Sequence, residues 1–242
     1  MEAEPITVLP PRDAGRPMFR QTWADLTFLH WAVDPDLVAP HLPPGVRPDV
    51  RDGVSHVGLV PFSMRDVAIS PGPPVPYFGT FAETNVRLYS VDSQGRRGVV
   101  FCTLDADRLV PVLVARAFRV PYVWSKMSVE RDGDLITYRA KRRPPFGKPA
   151  SSLVQARIGP PVEGNELEQH LTARWGLHRP GLRGSRYWPN SHGQWPLHSA
   201  TLERIEDGLL AAAGFPGVAD RPPDSVLFSP GVDTVFGPAL PA

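Results

Sequence analysis

Apolar residues recur mostly at every second position along this chain, in short runs cut by proline and glycine. Residues 19–33 alternate well enough to predict a strand. Asp34-Pro35-Asp36 then predicts a helix start, with Asp34 as N-cap and Pro35 in the first helical position. Pro40, Pro43 and Pro44 keep that helix short. Residues 46–69 predict a strand pair about Asp52-Gly53, with residues 56–64 as its second strand. Residues 71–76 form a Gly- and Pro-rich loop. The most strand-like segment follows, Phe81-Ala82-Glu83-Thr84-Asn85-Val86-Arg87-Leu88-Tyr89. After a turn at Ser93-Gln94-Gly95 comes an apolar strand, 98–104.

The period changes over residues 105–118. Leu109, Val112, Leu113 and Ala117 recur at helical spacing, Asp105 or Asp107 is placed to cap, and Pro111 fits the first turn. Residues 120–129 return to strand, and the Asp132-Gly133 turn leads to a strand ending near Arg139. Residues 142–149 read as a basic, solvated loop, 151–158 as a strand and 166–175 as an amphipathic helix. Residues 187–198 are mixed. Residues 202–213 predict a helix stopped by Gly214, and 226–236 a last strand. No internal repeat appears. The pattern predicts an extended arm at 1–17 and one α+β, mostly β, domain at 18–242, closed or partly closed as a barrel with short helices outside.

Composition narrows this. Thirty prolines and 21 glycines exclude a helical bundle. Twenty-six basic against 25 acidic residues give no footing for nucleic acid or an anionic membrane. The lone Cys102 forms no internal disulfide, which fits a reducing cytoplasm. No run approaches the ~18 apolar residues of a membrane span, and no signal peptide opens the chain. The expectation is a cytoplasmic protein, with a homo-oligomer left open.

Candidate chemistry starts with Glu83, Asn85 and Arg87, which alternation turns to one side with Phe81 and Tyr89. The row is either the wet face of a strand or the lining of a cavity. Lys126, one of only three lysines, shares a face with Trp124 and Ser128. It is either a Schiff-base nucleophile in an apolar pocket or a snorkelling surface lysine. His192 is either an acid–base group or part of a hydrogen-bonded turn anchored by Trp195. No metal-ligand spacing, Gly-x-Ser-x-Gly elbow or phosphate-binding glycine loop is present, so no metal or cofactor is expected.

Several segments carry a resemblance. Trp23-x-x-Leu26-Thr27-Phe28-Leu29-His30-Trp31, Leu42-Pro43-Pro44-Gly45-Val46, Gly58-Leu59-Val60-Pro61-Phe62-x-Met64, Glu83-x-Asn85-Val86-Arg87-x-Tyr89, Gly98-Val99-Val100-Phe101, Pro121-Tyr122 and His192-x-x-Trp195-Pro196-Leu197 resemble, in order, the uncharacterised YqjF-like family. That family is similar to the acetoacetate decarboxylase superfamily. The resemblance implies a β-barrel core with an internal cavity and peripheral helices. It also implies a cavity glutamate, matched by Glu83, and a nearby arginine at Arg116. Those decarboxylases carry two adjacent lysines directly after a proline. Here Val123 and Trp124 fall near those places, and Lys126 lies two or three residues late. Three readings follow. The first is a protein binding a small organic acid or carbonyl compound, with Arg87 on a carboxylate or enolate oxygen and Glu83, Asn85, Tyr89, Trp124, Arg116 and His192 around it. The second is a Schiff-base lyase using Lys126 with Glu83. The third is a non-catalytic structural or interaction protein.

Overall fold

The computed structural model describes residues 2–181 and 184–242. In chain order the elements are β1 (Phe19–Val33), α1 (Pro35–Val38), β2 (Arg47–Pro48), β3 (Ser55–Ile69), β4 (Phe81–Val91), β5 (Arg97–Ala106), α2 (Leu109–Ala117), β6 (Tyr122–Asp132), β7 (Leu135–Arg142), β8 (Ser151–Pro161), α3 (Glu166–Thr172), β9 (Gly176–Gly181), β10 (Gly184–His192), β11 (His198–Asp207), α4 (Leu209–Ala212), β12 (Ser225–Phe236) and β13 (Leu240–Pro241).

Local chemistry explains most boundaries. The Asp34 side chain accepts from Asp36 N, and Pro35 opens α1. Asp52 and Gly53 both have positive φ, as a tight turn before β3 requires. Asn165 and Glu168 form a reciprocal capping box on α3. The helix expected over 105–118 starts later, because its two candidate caps are used elsewhere: Asp105 binds Arg142, and Asp107 accepts from Ala82 N. Arg142, expected in a solvated loop, ends β7 and is buried against Asp105. The helix expected over 202–213 is instead strand β11 followed by the one-turn α4.

The strands join into one sheet that closes twice. Following hydrogen-bonded neighbours, β5-β6-β7-β8-β11-β12-β1-β3-β4 returns to β5. A second path, β5-β9-β10-β12-β1-β3-β4, also returns to β5. The two rings share β12, β1, β3, β4 and β5. Closure removes free edges, and the shared wall has an interior on each side. Its alternate residues therefore feed two cores. Leu29, Trp31, Val57, Leu59, Val86 and Leu88 pack with Ile136, Tyr138 and Val154 of β7 and β8. Leu26, Phe28, Val60, Phe62 and Phe81 pack with Trp195 and Leu197.

Before β1, the chain is extended and laid over this second side. Glu4 pairs with Arg12 and accepts from Arg97 N, and Trp175 Nε1 donates to Thr7 O at 3.0 Å.

Candidate functional site

β4 lies in the shared wall, so both its faces are buried. Glu83, Asn85, Arg87 and Tyr89 point together to the Phe28–Trp195 side, and none is more than 9% exposed. The wet-face alternative for this row is thereby set aside. Gly58 of β3 lies opposite Arg87 in the ladder. A Cβ there would stand 3.1–3.3 Å from His30, Tyr89 and Arg87 atoms, so glycine makes the room these side chains occupy.

At one end of the row, the Tyr122 hydroxyl donates to Glu83 Oε2 at 2.7 Å. Burial pushes the Glu83 carboxyl up to about 8, the Tyr122 hydrogen bond opposing and the Asp105 charge adding. Glu83 is therefore mostly a neutral acid at pH 7. Burial next to that carboxyl also raises the Tyr122 phenol well above its ordinary value. Between the ends, Asn85 Oδ1 is buried with no hydrogen-bond partner.

Arg87 occupies the other end. Its Nε donates to the Tyr89 hydroxyl at 3.0 Å and its Nη2 to Leu171 O at 3.0 Å. Its guanidinium lies 5.3 Å from the Phe28 ring centre and 5.4 Å from that of Tyr89. The Tyr89 hydroxyl meets His30 Nε2 at 2.5 Å. Burial, then the Arg87 charge, holds His30 well below the usual imidazole range, so it is neutral. Three arginines are buried among the described residues, Arg87, Arg142 and Arg174. Arg142 grips Asp105 with two nitrogens at 2.8 Å. Arg174 pairs with Asp49, as does the half-buried Arg97. Arg87 makes no ion pair with a described residue.

The remaining sequence candidates divide. His192 is buried, with ring centres of Trp175 and Trp195 at 4.5 and 4.8 Å. Its Nδ1 donates to Gly193 O at 2.6 Å, and burial lowers it to about 4 despite that bond, with the Arg87 charge acting in the same direction. Trp124 is half-buried against the Phe28–Trp195 core and carries Arg143 4.8 Å over its ring. Arg116 stands outside, exposed on α2. It donates to Tyr122 O at 2.8 Å and packs over Phe146. Lys126 is exposed on β6, opposite Lys141.

Sequence reasoning missed Tyr122, His30 and Gly58. The signal for Tyr122 was present: it directly follows Pro121, and alternation puts it on the face of Trp124 and Lys126. His30 and Gly58 reach the row only through the β1–β3–β4 pairing, which links residues far apart in the chain. Among the described residues, no group of three or more His, Cys, Asp or Glu side chains is arranged to hold a metal ion. Among the described residues, no helix is long and apolar enough to cross a membrane.

Known proteins share this arrangement of the chain. A family model described as "uncharacterized conserved protein" (DUF2071) matches residues 20–233. The uncharacterised protein YqjF of Bacillus subtilis (strain 168) is 32% identical over 201 residues, covering 81% of this chain and 82% of its own. An acetoacetate decarboxylase-like enzyme from Sphingomonas wittichii RW1 superposes with a TM-score of 0.62 at 13% identity, over 95% of this chain and 94% of its own. Acetoacetate decarboxylase from Legionella pneumophila gives 0.61 at 14% identity, over 98% and 90%. The enduracididine biosynthesis enzyme MppR complexed with pyruvate gives 0.58 at 15% identity, over 93% and 90%. At these identities the structural likeness establishes an acetoacetate decarboxylase-like fold and no more.

Proposed function

The chain belongs to the DUF2071 family of uncharacterised conserved proteins, and from that footing we propose that it binds a small oxo or hydroxy acid along the Glu83–Asn85–Arg87 row. One observation carries the reading: Arg87 is buried without a carboxylate, whereas the other two buried arginines each have one. Burying an unpaired guanidinium costs several kcal/mol, which an anionic ligand would offset. A carboxylate beside Arg87 makes the missing ion pair. At the other end, the protonated Glu83, held by the Tyr122 hydroxyl, is a donor for a carbonyl or enolate oxygen. A neutral acid beside a tyrosine is suited to a developing oxyanion, which an ionised carboxylate would repel. Asn85 lies between, its buried Oδ1 without a partner and able to accept from a ligand hydroxyl or enol.

The strand rise separates the Glu83 and Arg87 Cα atoms by roughly 13 Å. A ligand reaching both ends therefore carries its carboxylate and carbonyl on a chain of several carbons. The similarly folded MppR is complexed with pyruvate, which supports an oxo acid as the ligand class though not the span this row requires. Schiff-base chemistry receives no support from position: Lys126 is exposed, and Tyr122 is the β6 side chain against Glu83.

The test is a thermal-shift panel of 2-oxo, 3-oxo and longer oxo acids beside their methyl esters. A ligand at a hundred times its Kd adds about 2.7 kcal/mol of stability. At least one acid is expected to raise Tm while its ester does not. A panel without effect, or one in which esters match acids, would overturn the reading. Borohydride reduction of the same mixtures is expected to leave Lys126 unmodified by mass spectrometry, and an adduct there would restore the lyase reading.

A further inference from the structure

α2 is built inside out. Its sequence, Leu109-Val110-Pro111-Val112-Leu113-Val114-Ala115-Arg116-Ala117, is almost wholly apolar, yet Val112 is its only buried residue. Leu109, Val110, Leu113 and Val114 are 37–55% exposed on one stripe, which Phe118 extends at 72%. At the other end Tyr77 continues it, 67% exposed and lying under Arg108 at 4.5 Å. Six large apolar side chains exposed on one continuous stripe are more than singly scattered surface hydrophobics, and their combined area is on the order of the ~800 Å² per partner of a standard interface.

We infer that this face docks on the same face of a second copy of the chain, α2 against α2 about a two-fold axis. Two observations favour a copy over other occupants. First, Leu109/Leu113 and Val110/Val114 recur at i, i+4 as a neutral stripe with the small Ala117 beside it, which is its own complement in an antiparallel helix pair. Second, the flanking Arg108 and Arg116 are occupied within the chain. Arg108 lies on Tyr77 and donates to Asp107, and Arg116 lies on Phe146 and donates to Tyr122 O. Arg119, exposed beyond Phe118, adds one cation to these, and three is fewer than the roughly four to eight basic residues of an anionic-lipid site. The rim is aromatic and arginine-rich with no lysine or glutamate among these residues, the composition of a protein–protein interface.

The face also lies next to the row. Val112 packs in the core with Phe81 and Tyr122, and Arg116 holds the Tyr122 backbone. A helix that buries only one side chain is weakly held alone, so a partner copy would order it and, through Arg116, the segment that places Tyr122 against Glu83.

The test is sedimentation velocity on the full chain from low to high micromolar concentration, with Leu113→Glu and Val114→Glu beside the wild type. Both positions are exposed, so both variants should keep the wild-type circular dichroism. The expected result is a wild-type dimer that becomes monomeric in each variant. The proposal is overturned by a wild-type monomer throughout, by a dimer that both variants retain, or by a monomer that floats with vesicles of anionic phospholipid in an α2-dependent way. None of these readings depends on the ligand, so failure of the oxo-acid proposal leaves this one intact, and the reverse.

Discussion

Arg87 on β4 of the shared wall and Arg142 at the end of β7 are both buried guanidiniums, and they differ in what faces them. Arg142 has both oxygens of Asp105, with the Ser125 hydroxyl donating to one of them at 2.7 Å. Removing that carboxylate leaves a buried charge alone. Asp105→Asn should therefore lower stability by about 3–5 kcal/mol in urea unfolding. Arg87→Met removes a charge that no described residue pairs, and its loss should be clearly smaller in the same measurement. Glu83 makes a prediction in pH. The folded chain keeps its proton up to about 8, the unfolded chain only to about 4.5. Its contribution is thus whole below pH 4.5 and is lost as pH rises through 8. His170 and His192, lowered by burial to about 3 and about 4, act in the opposite sense. Their contribution is present above the ordinary imidazole value and is lost as pH falls toward those values. Between pH 6.5 and 8 the Glu83 effect stands apart from them. There the wild type should lose stability relative to Glu83→Gln by up to about 1.4 kcal/mol per pH unit. Parallel curves for the two proteins would mean that Glu83 is ionised when folded.

Elements bounded by local chemistry were legible, and elements set by pairing were not. β1 and α1 could be read from alternation, Asp34 and Pro35. β4 was legible as a strand, but alternation left a wet face open for its polar row, and the shared wall has none. β11 read as a helix for a definite reason. Its ladder with β8 shifts register between Leu202 and Arg204, so Leu202 and Ile205 come to the same side three residues apart. A bulge thus mimics helical spacing. Of the candidate site, Glu83, Asn85, Arg87 and Tyr89 were legible as a row, while its surroundings depended on strands distant in sequence. Gly58 belongs to that hidden part. Gly58→Ala should press on His30, Tyr89 and Arg87, cost about 1–3 kcal/mol as overpacking, and weaken acid binding in a thermal-shift titration. An alanine variant that matches the wild type in both would show that the row tolerates displacement.

At the scale of the whole molecule, two rings sharing a wall give polar residues a place away from water on both sides of one sheet. Asp105 and Arg142 use this to tie β5 and β7 across β6, and the pair is satisfied within the chain. The Glu83–Arg87 row is not, and that imbalance underlies the functional reading. Composition and pattern anticipated a mostly β protein closed or partly closed as a barrel, but not two rings sharing a wall, because strand order is not encoded in local pattern. The most direct test is calorimetric titration of wild type and Arg87→Gln with whichever oxo acid the thermal-shift panel selects, with Glu83→Gln as a second variant and circular dichroism confirming both folds. Binding to the wild type that weakens at least tenfold, about 1.4 kcal/mol, in Arg87→Gln and also falls in Glu83→Gln is the expected result. Equal affinity in all three proteins would place the acid elsewhere and contradict the assignment of the row.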